Sequence, residues 1–416
     1  MRTLLLSCLF VLCACAAHAQ PQMPRPDPSV VGPEAATEAY LASVPADARA
    51  RSDAYFEGGY WLILWRFLWS AAGLLVLLGS GLSARLRDLA ERATRSVFLQ
   101  PAIYWVGFSL FTFVFALPLS VYADFFREHQ YGLSTQTFGA WIGDSLKLVA
   151  LDLTIGSIAV CVFYAALRRT GRAWWLWGAG ILLAFLVSAA AVAPVFIAPL
   201  FNTYTPVQAE AVREPVLAMA RANGIAADTV WQMDASRQTT RISANVSGML
   251  GTERITLNDN LLNRASTDAV LAVMGHEIGH YVLNHTYELL LWFGLLTVVG
   301  FALVARIFPL AAARRPRWGV RGVTDPAGLP LIVLLFSSYL FVITPVTNSI
   351  IRSNEFEADL FGLNAARRPD GFAEAALLLG EYRKLHPGPL EELIFFDHPS
   401  GYTRILAAMR FKAEQE

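Results

Sequence analysis

The sequence predicts an all-α polytopic membrane protein that also carries a small β-ribbon. Of its 416 residues, 55% are hydrophobic and only 16% are charged, and the mean hydropathy is +0.44. These values lie on the membrane side of the average for soluble domains. The apolar residues also gather in runs of about 20, the length that a helix needs to cross a bilayer. A soluble fold would have to bury every one of these runs in one core, which argues against that class.

Six apolar runs predict about six membrane spans, and the chain therefore has the lipid bilayer as a partner. They lie near residues 60–81, 101–121, 146–167, 174–201, 288–308 and 329–350. The third and fourth runs are interrupted only by "RRTGR" (168–172), so the boundary between them is open. The formal net charge is zero, and no basic surface indicates nucleic acid. Four cysteines, three of them in the first 15 residues, build neither a disulfide framework nor a cysteine-based metal site.

The N-terminus predicts a cleavable signal peptide over residues 1–19. It has one arginine, a short apolar core and an Ala17-His18-Ala19 cleavage pattern. An uncleaved first span and a lipoprotein cleavage before Cys15 remain alternatives. Residues 20–59 are rich in Pro, Ala and acidic side chains without strong periodicity, which predicts an exported, loosely structured segment.

The charges of the loops predict the orientation. Loops 82–100, 168–172 and 309–328 together carry eleven arginines, whereas loop 122–145 has only Arg127 among several acidic residues. Positive loops stay in the cytoplasm. A four-span region (60–201) and a two-span region (288–350) would then hold two exported segments, 202–287 and 351–416. The predicted location is a bacterial inner membrane with both segments on the periplasmic side.

The first exported segment contains "HEIGH" (276–280), a zinc-peptidase pattern. On a helix, His276 and His280 share one face and can direct their rings at one ion. Glu277 lies beside the open position of that ion, where it can act as a base. Ser266 or Thr267 can cap such a helix. Chance occurrence in an ordinary helix is the alternative.

A third ligand must come from elsewhere in the chain. A metzincin would need a glycine and a histidine where Leu283 and Thr286 stand. His285 lies about 140° away from the His280 face, which favours an interfacial or supporting role over ligation. In "NSIIRSNEFEADLFG" (348–362), Glu355 and Asp359 share a helical face, so Glu355 could bind zinc and Asp359 could orient a ligand histidine. Spacing alone leaves an ordinary acidic helix face equally open.

The two motifs together resemble the integral-membrane CAAX prenyl protease type 1 family, which pairs H-E-x-x-H with N-x-x-S-R-x-x-E-x-x-A-D. Asn348, Arg352, Glu355, Ala358 and Asp359 match, whereas Ile351 stands where the family usually has Ser. The resemblance covers most of residues 55–410. It implies a gluzincin-type region that binds one Zn²⁺ through His276, His280 and Glu355, with Asp359 and Arg352 supporting them.

The same resemblance implies two further site residues. "RISANVSGMLGTERITLND" (241–259) predicts a hairpin that looks like the edge strand of the family, on which a peptide substrate binds as an added strand. Asn245 would anchor the substrate backbone there, although a turn-forming Asn is the alternative. "FFDHPSGYTRI" (395–405) resembles the H-P motif of the family, which makes His398 an oxyanion donor.

The predicted function is a membrane-embedded zinc metalloendopeptidase with Glu277 as general base. The resemblance implies removal of C-terminal residues from prenylated chains. An exported site would instead favour quality control or processing of exported and membrane proteins. A membrane protein with a structural, non-catalytic zinc is the rival from another class.

Overall fold

The computed structural model describes residues 25–248 and 253–415. The predicted signal peptide or first span, residues 1–19, lies outside this part of the chain, as does Gly251 of the predicted hairpin. Within it, the chain is built mainly from helices and carries one small sheet. The predicted fold class is confirmed.

Over its described residues, 25–59, the N-terminal segment is mainly helical, so the prediction of a loose structure is wrong there. It contains α1 (Pro28–Val31), α2 (Pro33–Ala42) and the start of α3 (Ala46–Gly79). Gly32 has φ 86°, a left-handed conformation that turns the chain between α1 and α2. Tyr40 and Leu41 of α2 are buried against the C-terminal helices. That packing partner is distant in sequence, which is why local composition did not show it.

The chain continues through two short polar helices, α4 (Leu82–Ala93) and α6 (Arg127–Gln130). It also contains four apolar helices, α5 (Gln100–Ser120), α7 (Phe138–Leu151), α8 (Ser157–Thr170) and α9 (Trp174–Val192). Short π-helical turns at Val121–Phe126 and Asp152–Gly156 join α5 to α6 and α7 to α8. Each pair therefore forms one continuous rod.

By length and hydropathy, four helical segments in the described residues can cross a membrane. They are Ala46–Gly79, Gln100–Gln130, Phe138–Leu200 and His285–Ala313, and the bent pair Pro326–Val342 and Thr344–Ala366 makes a fifth. The 63-residue segment Phe138–Leu200 turns at Gly171, where φ is 53°, and α8 and α9 then pack against each other. Counting its two arms separately gives the six predicted runs.

The last predicted run, 329–350, is not one straight span. It divides into α14 (Leu329–Val342) and α15 (Thr344–Ala366), which are bent by 58°. Pro345 lies in the first turn of α15, and a proline disfavours helical geometry at the residue before it. The bend directs α15 towards residues 202–287 and 351–415, which are called the catalytic half because they carry the zinc-peptidase motifs.

The catalytic half contains a four-stranded sheet of order β1-β2-β4-β3. Its strands are β1 (Tyr204–Pro206), β2 (Val230–Met233), β3 (Ala244–Ser247) and β4 (Arg254–Asn258). The antiparallel pair β3–β4 is the predicted hairpin, with β3 at the edge. The sequence analysis missed β1 and β2, so the predicted ribbon is only half of the sheet. Helix α10 (Glu210–Ala222) lies between β1 and β2 in the chain.

The remaining helices follow the sheet in the chain, and several of them carry the motifs. They are α11 (Asp259–Arg264), α12 (Thr267–Val282), α13 (His285–Ala313), α16 (Pro369–Leu379), α17 (Pro389–Phe395) and α18 (Gly401–Gln415). One buried cluster joins the sheet to α12 through Ile255, Leu257 and Met274. A second joins α2 to α16 and α18, with Tyr40 and Phe372 among its members. Helix α12 is thus held between the two clusters.

Candidate metal centre

Helix α12 forms as its sequence predicts. Ser266 is the N-cap residue, and its hydroxyl accepts a hydrogen bond from the Ala269 backbone N–H at 3.2 Å. Asp268 lies in the first turn, where its charge complements the helix dipole. Most of the helix is buried, including His276, which is 7% exposed. The two motif histidines therefore project from a rigid element.

Small residues allow α12 and α15 to cross in close contact. A Cβ atom on Gly362 of α15 would lie 2.7 Å from the backbone nitrogen of His276, and one on Gly275 would lie 2.9 Å from the Gly362 carbonyl oxygen. Gly279 similarly faces the Ala358 carbonyl. Because the backbones touch, a carboxylate on α15 can reach the histidines on α12.

Three side chains converge at this crossing. The Nε2 atoms of His276 and His280 are 3.1 Å apart. The carboxylate of Glu355 places Oε2 at 3.3 Å from the His276 nitrogen and Oε1 at 3.4 Å from the His280 nitrogen. The three potential ligand atoms lie within 4.8 Å of one another. The structure thus brings together the three residues that the sequence analysis singled out as ligands.

This donor set fits a zinc ion. Two imidazoles and one carboxylate are the ligands of open catalytic zinc sites. Within the described part of the chain, the buried Oε2 of Glu355 has the Nε2 atoms of His276 and His398 at 3.3 and 3.2 Å but forms no hydrogen bond. Such a group is costly unless a cation or a donor compensates it. A divalent cation would supply that compensation.

Asp359 lies where it can orient His276. Its Oδ1 is 2.8 Å from His276 Nδ1, and its carboxylate is fully buried. Arg404 of α18 contacts both carboxylate oxygens, with Nε at 3.0 Å from Oδ2. The sequence analysis missed Arg404, because an arginine in a C-terminal helix carries no motif that marks it as buried.

The structure places Arg352 away from the ligand cluster. Its guanidinium donates to the Glu392 carbonyl at 2.9 Å and to the Phe396 carbonyl. Arg352 therefore holds the segment that leads to His398, so any support that it gives to the ligands acts through that segment.

A cavity of about 230 Å³ opens beside the cluster. Glu277 lines it, and burial raises the pKa of Glu277 to about 7. A base is most effective when its pKa lies near the working pH. Arg383, which the sequence analysis also missed, lines the same cavity.

His398 borders the cavity from the segment before α18. Its Nε2 is 3.2 Å from Glu355 Oε2, and its Nδ1 donates to Asp397 Oδ1 at 2.8 Å. The side chain is 25% exposed, so it remains accessible from the cavity.

Edge strand β3 approaches the same cavity. Ile242, Ser243 and Ala244 line it, and Asn245 follows as an exposed residue of the strand. Asn245 is opposite Thr256 in the β3–β4 pair. The structure therefore places Asn245 next to the cavity wall without making it a lining residue.

Comparison with known proteins agrees with this architecture. A sequence model of peptidase family M48 matches residues 206–411, and one described as the CAAX prenyl protease N-terminal region with five membrane helices matches residues 34–203. The chain is 30% identical to the uncharacterized metalloprotease YhfN of Bacillus subtilis, over 79% of this chain and 78% of that protein. It is 27% identical to CAAX prenyl protease 1 of Saccharomyces cerevisiae, over 70% and 68%.

Among solved structures, the crystal structure of S. mikatae Ste24p has the same fold. It superimposes with a TM-score of 0.73 at 23% sequence identity, and the match covers 88% of this chain and 89% of that one. The membrane helices and the catalytic half together define an integral-membrane metalloprotease. The chain belongs to peptidase family M48.

Proposed function

We propose that this protein is a zinc endopeptidase whose site is formed by His276, His280 and Glu355. The convergence of these three side chains beside an open cavity carries the proposal. When bound there, zinc would polarise the scissile carbonyl and lower the pKa of a water molecule. A purely structural site would have its ligands closed around the ion, without a cavity at its side.

Glu277 is the proposed general base. It lines the cavity beside His276, and burial brings its pKa to about 7, so it can accept a proton and later deliver it to the leaving amine. His398 is the proposed donor to the oxyanion. It borders the cavity, and its Nδ1 lies 2.8 Å from Asp397 Oδ1, a contact that orients the ring.

The peptide substrate is proposed to bind along β3. This strand lies at the edge of the sheet, and the residues just before it line the cavity. An exposed edge can pair with an extended peptide, whose backbone then supplies the missing hydrogen bonds. Asn245 is exposed on this strand and would hold the substrate backbone.

We place the site on the exported face of a bacterial inner membrane. Helix α2 packs on the catalytic half, where Tyr40 donates to Asp370 at 2.7 Å and Arg410 pairs with Glu34 at 2.9 Å. The segment before α3 therefore shares a compartment with the catalytic half. If residues 1–19 are a secretory signal, that compartment is the outside.

The arginine-rich loops support the same orientation. Arg87 pairs with Asp325 at 2.8 Å, and Arg321 pairs with Glu91 at 2.6 Å. Loops 82–100 and 309–328 therefore lie together on one face, which the positive-inside rule assigns to the cytoplasm. We accordingly propose exported or membrane proteins as substrates. The names of the eukaryotic relatives favour the alternative, C-terminal processing of prenylated chains.

A reporter experiment tests the orientation. Alkaline phosphatase fused after Glu416 should be active in a bacterial host, and a fluorescent protein at the same position should stay dark. The same reporters inserted after Arg95 should give the opposite pattern. Fluorescence without phosphatase activity at the C-terminus would refute the exported site and favour the CAAX-type alternative.

The Glu277→Gln variant tests the chemistry. The purified full-length variant should bind zinc like the wild type but lose at least about 100-fold in the rate of hydrolysis of fluorescein-labelled casein. Glu38→Gln, at an exposed glutamate of α2, is the matched control and should keep full activity. Unchanged hydrolysis by Glu277→Gln would instead support the rival of a structural zinc.

A further inference from the structure

The turn between α12 and α13 brings a third histidine against the cluster. Asn284 adopts a left-handed conformation, with φ 60°, which ends α12 and begins α13 at His285. Had α12 continued, His285 would point about 140° away from His280. Instead its ring is buried, 1% exposed, and its Nδ1 lies 2.9 Å from His280 Nδ1.

The positions of the protons follow from this contact. His280 turns Nε2 towards the other two ligands, so as a neutral ligand it carries its proton on Nδ1. The Nδ1–H of His280 has the Nδ1 atom of His285 as the acceptor within reach. That atom must then offer a lone pair, so neutral His285 carries its proton on Nε2. That Nε2 is buried without a hydrogen bond in the described residues, and a carboxylate oxygen of Glu357 lies 3.5 Å away.

We propose that His285 is a positioning residue of the metal centre, which accepts the Nδ1–H of His280 and thereby fixes the tautomer and ring orientation of that ligand. Glu357 takes a lesser part by facing the far nitrogen of His285. This inference rests on the proposed zinc site. Orienting partners of ligand histidines are usually carboxylates, carbonyls or water. Here the partner is a second imidazole.

A neutral imidazole suits the charge of the site. His276 already has a carboxylate on its Nδ1, namely Asp359, and Glu355 adds a second buried negative charge. In the metal-free protein, Arg404 neutralises only one of them. A third buried carboxylate behind His280 would add an uncompensated charge to that state, which is costly. The His285 ring orients His280 without that charge, and the glutamate behind it, 61% exposed, keeps its own charge in contact with solvent.

Two variants at position 285 separate hydrogen bonding from packing. His285→Gln offers a carbonyl oxygen that can accept from His280, whereas His285→Phe fills the space without an acceptor. Zinc affinity of the purified full-length protein is measured by competition with a chelating dye, alongside casein hydrolysis. We expect His285→Phe to bind zinc about 10- to 100-fold more weakly and His285→Gln to recover most of that loss. Glu357→Gln should lose less than His285→Phe.

The outcomes distinguish this inference from the proposed function. Equal losses of zinc affinity in His285→Gln and His285→Phe would show that only packing matters and would overturn the positioning role. Wild-type zinc affinity in His285→Phe would overturn it as well. A wild-type protein that binds no zinc would overturn both proposals. Thermal unfolding of the metal-free variants checks their fold. If His285→Phe is destabilised, its zinc affinity is compared with that of His285→Gln and not with that of the wild type.

Discussion

Replacing Gly362 with alanine should separate the two helices that carry the ligands. The new Cβ would lie 2.7 Å from the backbone nitrogen of His276 and 3.0 Å from both the Gly275 carbonyl carbon and the His276 Cα. All three are backbone atoms, so no side-chain rotation can relieve the contact. Cβ contacts under 3.0 Å essentially never occur and ordinary ones begin at 3.4 Å, so α15 must move away from α12 by at least 0.3 Å (3.0 minus 2.7) and by 0.7 Å (3.4 minus 2.7) to reach an ordinary contact.

That displacement is large for a metal centre. Glu355 lies two helical turns before Gly362 on α15, so it would move away from both histidines together with the helix. Functional constellations tolerate displacements of only about 0.5 Å. We therefore expect at least about a tenfold loss of zinc affinity, or about 1.4 kcal/mol. Overpacking itself should lower the free energy of unfolding by about 1–3 kcal/mol.

The assay is chelator competition and thermal unfolding on the purified, full-length protein. Gly59→Ala is the matched control, because Gly59 lies inside α3 and a Cβ there meets nothing within 4 Å. Alanine favours a helix over glycine by about 1 kcal/mol, so the control should be neutral or stabilised. A Gly362→Ala protein with the zinc affinity and melting temperature of the wild type would refute the argument from close helix contact.

Three further predictions concern the cation beside Asp359, the buried core under the sheet and the proposed substrate strand. Arg404→Met leaves the buried carboxylate of Asp359 without its cation and should destabilise the metal-free protein by about 3–5 kcal/mol; an unchanged melting temperature would contradict this. Leu257→Ala, at a fully buried position of strand β4, should cost about 2–5 kcal/mol, whereas Leu390→Ala, 67% exposed, should cost almost nothing; equal effects would show that this core does not support the fold. Asn245→Ala should raise KM for casein at constant melting temperature, and a fall in kcat alone would argue against substrate anchoring.

Local sequence patterns were sufficient to predict those features that depend only on residues close together in the chain. The apolar runs, the Ser266 cap and the shared face of His276 and His280 depend on neighbouring residues only. Spacing also put Glu355 and Asp359 on one face of α15, although only the family resemblance favoured Glu355 over Glu357 as a ligand. In the structure, Glu355 and Asp359 are turned inward, while Glu357 is 61% exposed.

Contacts between distant segments could not be read from the sequence. The burial of α2 depends on Asp370 and its neighbours, more than 320 residues further along the chain. Arg404 is recognisable as a partner of Asp359 only once α18 is packed against α15. A continuous helix would point His285 about 140° away from His280, which argued against His285 as a ligand. The left-handed turn at Asn284 interrupts that helix and brings the His285 ring against His280. In each case tertiary packing decided what the local pattern left open.

The metal centre is built directly onto the membrane helices. His285 is the first residue of α13, a helix long and apolar enough to cross the bilayer. Glu355 lies on α15, which continues α14 after the bend at Ile343. Two of the side chains around His280 are thus fixed to elements that the bilayer holds in place. A tilt of α13 or α14 would therefore change the distance between the side chains of His280 and Glu355.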